Sequence, residues 1–390
     1  MKALIALDIE PSQRFVDEIS KAWDEGDAVL PIDQRLPIEA KKQLIAELKP
    51  SHIVSSDGRA HLDGGLPIES DDALVVATSG STGNPKGVVL THASVLASAR
   101  ASSSALDVGI DDHWYSCLPL AHVGGLSVVT RALLMGTQLT VAPRFDPHDV
   151  EQASHSCTLI SLVSTALQRV DARLFRTILL GGSKPPQIKP ANVIATYGLT
   201  ETGSGVVYDG YPLNGVDIRI ADDGEILVHS PMNMRCYRDG TTSIDSDGWL
   251  HTNDIGSLSP TGQLSVHGRR GDVIVTGAEK VWPEAVEAAL NAIIASDQFA
   301  IVGVPDAEWG ERVVLATTRS NLSLDLIKEH LFLTMPNFCA PKEIRQVASI
   351  RELQSEKFVD KNCVNSYPLT TRRRRSGTFR LWENSPEKLL

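Results

Sequence analysis

Short β-rich runs separated by helix-compatible stretches recur through the first half of the chain, at Ala73–Ala77, Gln138–Ala142, Leu159–Val163 and Thr177–Leu180. Strands spaced in this way are covered by the helices between them, which implies a layered α/β architecture. From Gly215 the pattern changes to closely spaced strands, Asp217–Ile220, Glu225–Val228 and Gln263–Val266, separated by Asp-Gly and Thr-Gly turns. These read as a small antiparallel β-subdomain over about residues 215–268. Farther on, Trp282–Leu290 reads as a helix with proline near its start and Phe299–Val304 as a strand, giving a compact α+β domain. The expected division is a large layered N-terminal domain (1–269), a small C-terminal α+β domain (270–362) and a flexible tail (363–390) that holds the basic run Arg372–Arg375.

The stretch Thr78–His92 follows the first of those runs and collects hydroxyls, glycines and one lysine. Gly80, Gly83 and Gly87 let the backbone turn tightly and approach a ligand; Thr78, Ser79, Ser81 and Thr82 supply hydroxyl donors; Lys86 supplies positive charge. Composition alone favours a flexible Gly/Ser loop, a preference that the order of the residues reverses. The order of the residues is not that of a P-loop, because no Gly-Lys-Ser/Thr opens a helix.

Downstream, Tyr197-Gly-Leu-Thr-Glu-Thr202 follows the apolar Val193–Ala195 and is expected at a strand end, where open α/β sheets place ligands. Glu201 suits a hard cation, Thr200 a phosphate and the Tyr197 ring a base, although each also fits an ordinary turn. Asp254, in Asp247–Gly256, can accept from two ribose hydroxyls, and Arg269, in Gly268–Asp272, can meet ribose or an α-phosphate.

Taken together, these segments resemble the adenylate-forming superfamily of acyl-CoA synthetases, luciferases and peptide-synthetase adenylation domains. The resemblance runs over roughly residues 20–361 and includes Asp24–Asp33, which is similar to the superfamily's first motif, and Gly303–Glu311, which is similar to its C-terminal domain. By position, it implies that Thr78 to Lys86 hold phosphates, that Tyr197, Thr200, Asp254 and Arg269 serve the nucleotide, and that Glu201 helps bind Mg2+. It also implies a mobile C-terminal domain turning about Gly271, where the superfamily often has Asp or Lys, and a catalytic trio of Lys86, Thr200 and Lys357.

The motif around Lys357 departs from the superfamily pattern. Arg351-Glu-Leu-Gln-Ser-Glu-Lys357 carries arginine in place of proline and Glu356 in place of glycine. The N-terminal part is abbreviated, a shortening that resembles the compact o-succinylbenzoate-CoA ligase subfamily of menaquinone biosynthesis, as does Val207–Val216. In Leu118–Leu126, His122 stands where the superfamily has an acyl-pocket histidine or aromatic, and Gly124 and Gly125 are expected to leave room for a flat aryl ring. The implied reactants are a small carboxylic acid, ATP and coenzyme A. The alternatives are a CoA ligase for another aryl or short acyl acid, or a nucleotide-binding homologue with impaired adenylation.

Composition narrows the remaining classes. A net charge of −11 argues against a nucleic-acid partner, and 42% hydrophobic residues suffice for a substantial core. The cysteines (Cys117, Cys157, Cys236, Cys339, Cys363) are widely spaced without a CxxC pair, which points to reduced thiols, a cytoplasmic location and no zinc site. No apolar run is long enough for a membrane span, and the oligomeric state, a homo-oligomer included, stays open.

Overall fold

The computed structural model describes residues 2–79, 85–182, 188–276, 279–306, 308–347, 350–353 and 356–359, with side chains up to Ile350 except that of Ser79. The chain forms two compact units. The first comprises Met1–Thr252 and Leu258–Ser265, the second Asn253–Ser257 and the residues from Val266 onward. The division thus falls inside the strands Leu250–Leu258 and Leu264–Arg269 instead of following Arg269.

The first unit is built on two mixed sheets. One runs from edge to edge through Cys236–Tyr237, Pro85–Thr91, Asp72–Ser79, Ala28–Pro31, Leu4–Leu7, His52–Ser55 and Gly58–His61. Its centre is parallel, and both of its outer pairs are antiparallel. The central strands Leu4–Leu7 and Ala28–Pro31 are buried along their whole length, as expected where both faces are covered. The helix Gln13–Glu25 contributes Phe15, Val16, Ile19 and Ala22, spaced to lie on one face, and stops at Gly26 in the left-handed conformation.

The second sheet orders Tyr211–Pro212, Gly205–Tyr208, Val193–Gly198, Thr177–Gly181, Leu159–Val163, His113–Ser116 and Gln138–Val141. Two helices, His92–Ala105 and Val123–Met135, pack against each other. The first opens with a capping box between Thr91 and Ser94, and its buried serines reach the second sheet's edge through Ser98–Ser204 at 2.5 Å and Ser102–Tyr208 at 2.6 Å. In the same unit, Asp217–Ile220 and Glu225–His229 form the antiparallel hairpin that the Asp-Gly turn signalled.

The second unit pairs Phe299–Asp306 with Gly310–Thr317 antiparallel and adds Glu343–Gln346 in parallel. The helix Pro283–Leu290, with proline in its first turn, buries Val286 and Leu290 against Ile301, Val313 and Leu315. The architecture is therefore mixed α/β in the large unit and α+β in the small one.

Candidate functional site

Thr78 pairs with Lys86, and Ser79 with Pro85, across the antiparallel strands Asp72–Ser79 and Pro85–Thr91. These three polar residues thus stand on the legs of a hairpin, which corrects the expectation that all of them lie in a loop. The apolar runs on either side, Ala73–Ala77 and Val88–Leu90, continue the ladder through them. Gly80, Ser81, Thr82 and Gly83 lie outside the described residues, as does the Ser79 side chain.

Tyr197 ends up half-buried on the strand Val193–Gly198, opposite Val207, and Thr200 and Glu201 occupy the single 3-10 turn Thr200–Thr202 just beyond it. The chain doubles back so closely here that a Cβ on Gly198 would meet the Ser204 carbonyl oxygen at 2.2 Å. Only glycine fits, and the tight return presents Glu201 at the end of the sheet. One side chain connects this turn to the strand that carries Lys86. The Tyr237 hydroxyl donates to Glu201 Oε1 at 2.9 Å, while Lys86 Nζ lies 4.8 Å from the centroid of the Tyr237 ring. Among the described residues neither Lys86 nor Glu201 forms an ion pair. Glu201 thus offers a single carboxylate to a hard cation, and among the described residues no group of three or more His, Cys, Asp or Glu gathers to hold one. Asp239 is held below the usual carboxylate range by the Thr241 hydroxyl and by backbone N–H groups, with Lys86 adding its charge.

His122 caps the helix Val123–Met135 without a side-chain cap bond. Its Nε2 lies 3.0 Å from Arg35 Nη2 and 3.2 Å from Asp33 Oδ2, and Arg35 also grips Asp33 at 2.6 Å. Nε2 thus faces a group that can only donate, Arg35, and one that can only accept, Asp33, so these two contacts call for opposite tautomers. Burial lowers the His122 pKa, in keeping with a neutral ring, although Asp33 opposes the shift. Burial alone would raise Asp33, but the hydrogen bonds and charge of Arg35 outweigh it and bring the carboxyl to about 2.

Gly124 and Gly125 lie within the first turn of this helix. A Cβ on Gly125 would come within 2.5 Å of both the Leu118 and Pro119 carbonyl oxygens, so that space is filled by backbone and offers no room for a ring. Gly124 would meet only Leu118 Cδ1 at 3.6 Å. A narrow space lined by Leu74, Leu90, Val123, Leu126, Ser127 and Gly203 lies between this helix and the Thr-Glu turn.

In the second unit, Asp254 and Arg269 form an ion pair, with Nε to Oδ1 at 3.2 Å and Asp254 only 7% exposed. Gly271 follows in a turn, where an added Cβ would meet nothing within 4 Å. The backbone of Lys357 lies on the strand Glu356–Val359, opposite Glu352. Its side chain is outside the described set.

Three features escaped the sequence reading. Two are Tyr237 and Arg35, placed by long-range contacts. The third is Arg131, on the helix that His122 caps. It is 2% exposed, and among the described residues its Nε and Nη1 have no hydrogen-bond partner. Its guanidinium lies 4.9 Å from the Trp114 ring, and burial pushes its pKa down from the ordinary arginine value. A guanidinium buried without a carboxylate is costly, and such groups cluster at functional sites.

Residues 2–238 match the model of the AMP-binding enzyme family. Among curated proteins, the chain is 34% identical over 313 residues to a protein of Mycobacterium tuberculosis named "Probable 2-succinylbenzoate–CoA ligase", a match covering 73% of this chain and 81% of that one. It is also 34% identical to the 2-succinylbenzoate–CoA ligase of Bacillus cereus, over 63% of this chain and 60% of that protein, so it spans less than two thirds of the bacillary relative. Among solved structures, the o-succinylbenzoate CoA synthetase of Bacillus subtilis, in complex with the acyl-adenylate OSB-AMP, superposes with a TM-score of 0.82 at 23% identity, covering 94% of this chain and 89% of that one. That last likeness bears on the fold.

Proposed function

We propose that this chain, which belongs to the AMP-binding enzyme family, joins o-succinylbenzoate to coenzyme A in two stages, by way of an acyl-adenylate. The observation that carries the choice of acid is Arg131. o-Succinylbenzoate bears two carboxylates, of which only one is activated, and a buried guanidinium with no carboxylate partner among the described residues suits the other. The helix that carries Arg131 also lines, through Val123 and Leu126, a small apolar space at the Thr-Glu turn, and His122 stands at its N-terminus beside Arg35 and Asp33.

In the first stage an oxygen of the acid's succinyl carboxylate attacks the α-phosphorus of ATP, and pyrophosphate leaves. Lys86 offsets the triphosphate charge, and Thr78 and Thr200 supply hydroxyl donors. Mg2+, when bound, neutralises part of the same charge, and Glu201 is the residue to hold it. Tyr197 is assigned to the base, and Asp254 and Arg269 to the ribose and α-phosphate. Lys357 is assigned the bridge between carboxylate and phosphate, with Gly271 as pivot. In the second stage the CoA thiolate attacks the acyl carbonyl, and AMP leaves. A cytoplasmic location belongs to the same proposal; among the described residues no helix is long and apolar enough to cross a membrane.

The test is acid-dependent exchange of labelled pyrophosphate into ATP, with o-succinylbenzoate, benzoate and fatty acids offered separately. Exchange is expected with o-succinylbenzoate above the others. Exchange confined to a different acid would replace the substrate, and exchange with none would overturn adenylation itself.

A further inference from the structure

We infer that Tyr237 is a positioning residue that holds the phosphate-loop cation and the metal-binding carboxylate apart while aiming both at the nucleotide. This deepens the proposed function and rests on its assignment of Lys86 and Glu201. The geometry has three parts. The ring receives Lys86 Nζ at 4.8 Å from its centroid, and the hydroxyl donates to Glu201 Oε1 at 2.9 Å, so one side chain touches both charges from opposite ends. If the ring were absent, an ammonium and a carboxylate that share this neighbour could approach each other, and a metal–triphosphate complex would have to break such a pair before binding.

The second part is the precision of the mount. Tyr237 belongs to the two-residue strand Cys236–Tyr237, in which Tyr237 lies opposite Val88 and therefore diagonal to Lys86 on the same face. Its backbone N–H donates to Thr241 at 2.7 Å, and its neighbour Arg238 donates from the backbone to Gly87 at 2.7 Å. The arginines flanking this strand fix it at both ends. Arg235 forks onto the buried Asp72 at 2.9 and 3.0 Å, and the Arg238 guanidinium donates to the carbonyls of Leu66, Pro67 and Leu48. A tyrosine held this firmly restricts Lys86 and Glu201 in the free protein, so less ordering remains to be done when nucleotide binds.

The third part is the separability of the two contacts. Phenylalanine keeps the ring for Lys86 and removes the donor to Glu201, whereas leucine removes both. A residue that served only packing would not distinguish metal from nucleotide.

The experiment uses the full chain without any acid substrate. Mn2+ binding in the presence of ATP is followed by the loss of the free-ion electron paramagnetic resonance signal, and metal-free ATP binding by calorimetry. Tyr237→Phe is expected to weaken Mn2+ binding about ten- to a hundredfold, the worth of one hydrogen bond to a charged group, with metal-free ATP affinity unchanged. Tyr237→Leu is expected to weaken metal-free ATP as well, by about three- to tenfold, through loss of the cation–π contact. Unchanged Mn2+ binding in Tyr237→Phe, or equal weakening of both ligands accompanied by a lowered melting temperature, would overturn the inference. Failure of the wild-type chain to bind Mn2+–ATP at all would instead overturn the reading of the nucleotide site on which it rests.

Discussion

Replacing Arg131 by methionine should stabilise the protein and impair it at the same time. Two buried donors, Nε and Nη1, lack partners among the described residues, and each such orphan costs about 1–3 kcal/mol. Against this stands the stacking on Trp114, worth about 0.5–2 kcal/mol. Methionine fills much of the same volume with no polar atom to satisfy, so the net gain should be about 1–4 kcal/mol. For a unit of this size that corresponds to a rise in melting temperature of about 2–16 °C, measured by differential scanning calorimetry. If Arg131 holds the ring carboxylate as proposed, the same change removes a charge-assisted contact, and the KM for o-succinylbenzoate should rise about ten- to a hundredfold. The analogue 4-oxo-4-phenylbutanoate lacks the ring carboxylate and should be used equally well by both proteins. A variant that melts lower and keeps its KM for o-succinylbenzoate would refute this reasoning and make Arg131 a structural residue of the helix Val123–Met135.

Gly125→Ala would drive a Cβ to within 2.5 Å of two backbone carbonyls that cannot move aside without shifting the helix, so it should cost about 1–3 kcal/mol in urea unfolding, whereas Gly124→Ala should be close to neutral. Asp33, at about 2 in the folded protein against an ordinary value of 3.8, stabilises the fold at pH above about 4 and loses that contribution as pH falls from about 4 towards 2. After allowance for solvent screening this is about 1 kcal/mol, and Asp33→Asn should flatten the acid limb of the stability curve by that amount, as read from urea midpoints at pH 5 and pH 2.5.

Local chemistry made the sheets readable. Val-Val-Ala at 75–77 and Ile-Leu-Leu at 178–180 sit in strands that bury both faces, and such strands announce themselves as unbroken apolar runs. The Pro283 helix start and the Asp-Gly hairpin were equally local. What could not be read depends on partners far along the chain. Tyr237 owes its place to Lys86 and Val88, some 150 residues earlier, through a strand too short to show any period. Arg131 reads as one polar residue in an apolar helix, and only packing reveals that it is enclosed. Gly125 was legible as special but for the wrong reason. Pro119 shortly before it, in a turn feeding the helix, was the available sign that backbone would press on that face.

The strand Cys236–Tyr237 is also the outermost member of its sheet, and it covers Pro85–Thr91, whose Val-Val-Leu core is strongly β-prone. Brevity and flanking arginines make it a poor template for a neighbouring molecule, so the element that carries Tyr237 also guards against edge-to-edge association. Substitutions that loosen it, such as Arg235→Ala or Arg238→Ala, should uncover that hydrogen-bonding edge. Preparations of such variants would then be expected to lose solubility and nucleotide affinity together, because colloidal behaviour and ligand recognition are written into the same two residues.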